Sequence, residues 1–181
     1  TRNFLPTSSR RSQQKPRTTT ESLLRSESVG FDSQREEGVN MTQMHPYLTF
    51  GGSCDQAFEF YRSVFGGELQ LSRFSEMPSD ESAPLIDGNL VMHVSLPIGD
   101  GQILMGSDQP SAMGKLDVGN NVQVMVTPAS SEEGKRIFDA LAAGGQVTMP
   151  YEQAFWGDVF GALVDQFGIN WMVNYSDAEN A

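Results

Sequence analysis

Apolar and polar positions follow the same succession twice along this chain. His45 to Phe50 alternates polar and apolar and predicts a strand, which Gly51-Gly52 turns into a helix. Ser53 and Gln56 have the spacing of a capping box, and Ala57, Phe58, Tyr61, Val64 and Phe65 follow as one helical stripe that Gly66-Gly67 ends. Strands are expected at Glu68 to Phe74, Leu90 to Leu96 and Gln102 to Gly106, with a Pro/Ser/Asp-rich loop from Met77 to Gly88 between the first two. The second copy opens with a strand at Asn121 to Thr127. Ser130 and Glu133 repeat the capping box, Ile137, Phe138 and Leu141 repeat the stripe, and Gly144-Gly145 repeats the stop, 78 residues after the first glycine pair.

Gln146 to Met149 then leads into Phe155 to Val173, the block densest in aromatics and glycines. Its two strand-like runs, Asp158 to Val164 and Ile169 to Val173, flank Asp165-Gln166-Phe167-Gly168, whose Asp and Gly supply turn chemistry. Each half thus reads strand, helix, strand, strand, strand. The expected class is α+β: two βαβββ modules, about 44–108 and 119–176, with cupped mixed sheets around a shared cavity and the helices outside.

Composition adds limits. The chain of 181 residues is 38% hydrophobic, enough for one core, and no apolar run approaches a membrane span. A single cysteine, Cys54, fits a reducing compartment, so a cytoplasmic location is expected. The first forty residues hold seven Lys or Arg against five acids and no apolar periodicity. They read as disordered or vector-derived, with Met41 as the native start and an organelle transit peptide as the alternative. Removing their +2 from the net −11 leaves −13 on residues 41–181, which argues against nucleic acid and anionic membranes as partners.

The βαβββ duplication, the opening His45-Pro-Tyr-Leu-Thr-Phe-Gly-Gly, Phe155-Trp156-Gly157-Asp158 and Asp165-Gln-Phe-Gly168-Ile-Asn-Trp171 together resemble the vicinal oxygen chelate superfamily. Within it they are similar to the PhnB-like, demethylubiquinone-methyltransferase-like branch, over roughly residues 44–175. The resemblance implies a small α+β homodimer with a site inside each cupped sheet. It spans metal-dependent lyases, isomerases and dioxygenases, and also metal-free proteins that bind antibiotics. The branch's name notwithstanding, no glycine-rich strand-to-helix loop for a nucleotide cofactor is present, and no cofactor is expected.

Strand parity then selects the residues that face the cup. The inward sets are His45, Tyr47 and Thr49; Asn89, Val91, His93 and Ser95; Asn121, Gln123 and Met125; and Asn170, Met172 and Asn174. The expected cup is polar and mostly uncharged. Superfamily metal positions fall on His45, Leu104, Asn121 and Met172, of which His45 alone is a strong ligand, so a divalent metal is not the expected occupant. Tyr47, His93, Asn121, Gln123 and Trp156 are the candidate ligand-binding residues, and His93 is the candidate catalytic group because an imidazole exchanges protons near neutral pH.

Several residues have plainer readings. Cys54 follows the proposed Ser53 cap, where backbone N–H groups lower a thiol pKa, yet the sequence offers it no paired base. Phe155, Trp156, Phe160 and Trp171 are first of all packing, with Trp171 on the helix side, and Glu152 and Asp158 read as solvated acids. Three functional classes follow. The first is a binder of a small, largely uncharged molecule; the second is a superfamily enzyme with an atypical metal centre or metal-free proton transfer by His93; the third is a partner of another protein, for which the sequence shows no apolar stripe or charged helix.

Overall fold

The computed structural model describes residues 42–78 and 86–177. The expectations for residues 1–40 and for the middle of the Met77–Gly88 loop lie outside the described residues. The first module runs β1 (Tyr47–Phe50), α1 (Cys54–Phe65), β2 (Gln70–Arg73), β3 (Val91–Gly99) and β4 (Gln102–Asp108). The second runs β5 (Val124–Val126), α2 (Ser131–Ala142), β6 (Gln146–Gln153), β7 (Val159–Val164) and β8 (Asn170–Tyr175). The sheets have matching orders, β1-β4-β3-β2 and β5-β8-β7-β6, and in each the first strand lies parallel to the last. The duplicated α+β architecture is therefore present in full. Among the described residues, no helix is long and apolar enough to cross a membrane.

Both helices bury the stripe their sequences prescribe. In α1 it is Cys54, Ala57, Phe58, Tyr61 and Val64; in α2 it is Gly134, Ile137, Phe138 and Leu141. Each fully buried large apolar side chain contributes roughly 1.5–3 kcal/mol. The stops are equivalent too: a Cβ on Gly67 would run into Pro97 O of β3, and one on Gly145 into Val164 O of β7. Both glycines let the chain leaving the helix pass close over a strand.

The helix starts differ from one another. Ser130 Oγ accepts from Glu133 N at 3.1 Å, and Glu133 Oε2 accepts in return from Ala129 N at 2.9 Å, one residue earlier than in a capping box. Ser53 makes no side-chain capping bond, contrary to the expectation. Its place is taken by Asp108 at the end of β4, which is buried and accepts from Gly52 N at 2.8 Å, Cys54 N at 3.1 Å and Val91 N at 2.9 Å. Its side-chain oxygens, set at the N-terminus of α1, satisfy donors that a serine would otherwise meet.

The two modules share one core. Tyr61 of α1 stands edge-on to Trp171 of β8 with centroids 5.4 Å apart, and Phe60 meets Phe167 at 5.8 Å. Arg136 of α2 donates to Val64 O at 3.0 Å. At the centre of this seam lies Asp165, in the β7–β8 turn and 4% exposed. Its Oδ1 accepts from Phe167 N and Ile169 N at 2.8 and 2.9 Å, while Oδ2 accepts from Tyr61 Oη at 2.7 Å and Trp171 Nε1 at 2.8 Å. One carboxylate thus ties the turn, the aromatic strand and the neighbouring module's helix together.

Candidate functional site

Residues that share one row across each sheet define its two faces. In the first sheet Tyr47 pairs with Met105, Met105 with Ser95 and Ser95 with Gln70; the adjacent row holds Ser72 opposite His93 and Thr49 opposite Ser107. These side chains stand opposite the helix-facing Leu48, Phe50, Val94, Leu96 and Leu104, all of which are buried. The face is polar and carries no formal charge apart from what His93 can take up. That matches the expectation for module one.

Within this face Tyr47 and His93 meet. Tyr47 Oη lies 3.4 Å from His93 Nδ1, and the two rings are stacked with centroids 5.8 Å apart and planes 26° apart. Tyr47 is 49% exposed. The pair presents an aromatic surface and an imidazole together, on the side of the sheet away from the helices.

The second sheet repeats the rows with different chemistry. Met125 pairs with Met172, Met172 with Ala162 and Ala162 with Met149, while Phe160 pairs with Asn174 and Glu152. By strand order, Met125 stands where Tyr47 does, and Phe160 where His93 does. This face mixes thioethers with the expected Asn170 and Asn174 and with Glu152, so it is less uniformly polar than expected; Met125, Met149 and Trp156 are each about half exposed or more. Trp156 lies in the tight turn that closes with Gly157 N donating to Ala154 O, and its ring stands over Phe160 at 5.9 Å.

Four further expectations are corrected. Val91 is fully buried on the helix side, because Arg73 pairs with Val91 while Ser72 pairs with His93; the extra residue reverses parity below His93. Asn121 and Gln123 precede β5, which begins only at Val124, and both are exposed. Among the described residues no hydrogen bond or ring contact joins Asn121, Gln123 or Trp156 to the Tyr47–His93 pair. Phe155 is 96% exposed and does not pack into the core as expected, whereas Trp171 is buried on the helix side as expected.

Cys54 is the fourth. Its thiol is fully buried, and burial first, then the charges of Asp108 and Asp55, push its pKa up. Burial, reinforced by the carboxylate that caps α1, therefore keeps this thiol protonated and unreactive. Asp158 behaves in the opposite sense: hydrogen bonds from Ser176 and Asn174 hold its carboxyl below the usual range, with Asn174 Nδ2 at 3.0 Å. It is ionised and engaged, not a proton donor.

The superfamily's metal positions can now be tested on register. Met105, not Leu104, is the counterpart of Met172, since each pairs with the opening strand of its sheet; Leu104 is core. Gln123, not Asn121, precedes Met125 as His45 precedes Tyr47. One imidazole, one amide and two thioethers do not fit a hard or borderline divalent cation. Among the described residues no group of three or more His, Cys, Asp or Glu stands close enough to hold a metal.

The described residues also form two further cavities. The larger, about 600 Å³, lies between the modules, and the smaller, about 360 Å³, is bounded by Gly51, Leu90, Gln109 and Leu116. Neither is lined by Tyr47 or His93.

The sequence profile of the 3-demethylubiquinone-9 3-methyltransferase family matches residues 42–174. Protein YjdN of Escherichia coli is 34% identical over 140 residues, covering 72% of this chain and 93% of YjdN. The solved structure of a PhnB protein from Bacillus cereus, described as a putative 3-demethylubiquinone-9 3-methyltransferase, superposes with a TM-score of 0.60 at 26% identity, covering 75% of this chain and all of that one. The fosfomycin resistance protein FosX of Listeria monocytogenes, solved with Mn(II), shares the fold with a TM-score of 0.52 at 11% identity, over 77% of this chain and 95% of its own. By the span of the family profile and by the likeness to YjdN, this chain belongs to the PhnB-like 3-demethylubiquinone-9 3-methyltransferase family.

Proposed function

We propose that this protein binds a small, largely uncharged molecule on the cup face of its first sheet. The observation that carries the reading is the stacked Tyr47–His93 pair, set among Ser72, Ser95, Ser107 and Gln70 on a face without a fixed charge. An aromatic surface beside a few orienting polar groups is the usual make-up of a small-molecule site. A homodimer is part of the proposal: both cup faces are open in one chain, and half-exposed Tyr47, Met125, Met149 and Trp156 are the apolar groups a second copy would cover.

The test is a fragment screen with neutral aromatic amides and alcohols, read by backbone amide shifts on the full chain. Binding is expected to move Tyr47, His93 and Ser95 together, and His93→Ala is expected to weaken it about tenfold, the effect of one lost hydrogen bond in a partly closed site. Hits that perturb only other regions would refute the assignment. Sedimentation is expected to give a dimer at micromolar concentration, and a monomer would remove the second copy from the reading. The Tyr47 Oη to His93 Nδ1 contact also supports an enzyme reading, in which the imidazole moves a proton. In that case His93→Ala abolishes turnover of a bound compound instead of merely lowering its affinity.

A further inference from the structure

The cavity of about 600 Å³ between the modules is an open cleft with core side chains on its inner wall and exposed residues, Asp100, Gln102 and Met125 among them, at its rim. Leu104, Ile137 and Trp171 in its wall are each at most 4% exposed, and Phe65 and Val126 join them. The inner wall offers apolar contact and the rim offers polar groups, and the volume lies within the range of small-molecule sites.

One cation stands in the lining. Arg136 donates to Val64 O at 3.0 Å and makes no ion pair among the described residues. That bond uses one of five guanidinium N–H donors. Two carboxylates also line the cavity. Glu133 is engaged by Ala129 N at 2.9 Å, and Asp100 sits on the exposed β3–β4 turn. The lining therefore combines an apolar inner wall with one exposed guanidinium that is anchored to Val64 O and makes no ion pair among the described residues. We propose that this cavity is a second binding site, for an amphipathic monocarboxylate whose apolar body fills the space and whose carboxylate pairs with Arg136.

This site includes neither Tyr47 nor His93, on which the cup-face reading rests, so either reading can fail alone. The experiment uses the full chain labelled at isoleucine methyl groups and titrated with sodium octanoate and with 1-octanol. Ile98, Ile103 and Ile137 line the cavity, whereas Ile86 and Ile169 do not and report on the integrity of the fold. Octanoate is expected to shift the first three saturably and leave the other two in place. Arg136→Gln is expected to weaken octanoate at least tenfold without changing octanol, Arg136→Lys to retain part of the affinity, and His93→Ala to leave it unaltered. The proposal is overturned if octanoate gives no saturable shift, if its shifts spare the three lining isoleucines, or if Arg136→Gln binds it as tightly as the unmodified chain.

Discussion

Replacing Tyr61 by Phe removes a single oxygen from the seam between the modules. The hydroxyl donates to Asp165 Oδ2 at 2.7 Å, both residues are buried, and the ring stays packed between Phe58, Phe167 and Trp171. A hydrogen bond to a charged acceptor is worth about 1.5–3 kcal/mol, and no donor is left orphaned, because Asp165 keeps Trp171 Nε1 and two backbone N–H groups. The expected loss is therefore about 1.5–3 kcal/mol, a fall in midpoint of roughly 3–12 °C for a chain of this size. Urea unfolding gives the free energy, and a double-mutant cycle with Asp165→Asn isolates the coupling. A loss under about 0.5 kcal/mol, or two losses that simply add, would refute the view that this carboxylate joins the modules.

Gly134→Ala sets helix propensity against space. Alanine gains about 1 kcal/mol in a helix interior, but its Cβ would run into Tyr151 Oη, and the Tyr151 ring is stacked on Phe138 at 5.6 Å. Overpacking of this kind costs about 1–3 kcal/mol. The variant should melt lower than the parent, and Tyr151→Phe in the same chain should recover part of the loss; a higher melting point would show that the tyrosine gives way freely. At alkaline pH, burial and the neighbouring carboxylates raise the pKa of both Cys54 and Tyr61 in the folded state above their ordinary 9.0 and 10.0. Their contribution is present below those values and fades as pH rises, because the unfolded chain then releases protons that the folded chain retains. Each group steepens the loss by up to about 1.4 kcal/mol per pH unit. Cys54→Ala should flatten the slope between pH 9 and 10, and an unchanged slope there would refute the assignment.

The periodic elements were legible because burial follows period. The stripes of α1 and α2, the paired glycine stops and the alternation in β1 all come from side chains that lose or gain by burial at fixed spacing. What escaped the sequence depends on contacts across it. Asp108 caps a helix more than fifty positions upstream, so local spacing pointed to Ser53 instead. Asp165 looked like a turn residue and is one, through its bonds to Phe167 N and Ile169 N, but its other oxygen reaches Tyr61 in the other module. Val91 was misplaced by one inserted residue in β3, which alternation counted from either end does not reveal. Of the candidate site, Tyr47 and His93 meet as parity required; Asn121 and Gln123 were drawn in by a strand that begins later than its alternation suggested.

The duplication sharpens what the two cup faces can do. Strand order makes Met125 the counterpart of Tyr47, Phe160 that of His93, Ala162 that of Ser95 and Met149 that of Gln70. A polar group in the first sheet faces an apolar one at each of these four positions in the second. At these four positions the first sheet carries donors and acceptors and the second carries thioethers, a ring and a methyl group, while Asn170, Asn174 and Glu152 keep some polar capacity on the second face. If a second copy brings the unlike faces together, the enclosed molecule meets polar groups on one side and apolar groups on the other. An amphipathic outline, aromatic or alicyclic with its polar atoms on one edge, fits that arrangement better than a uniformly polar or fully apolar one.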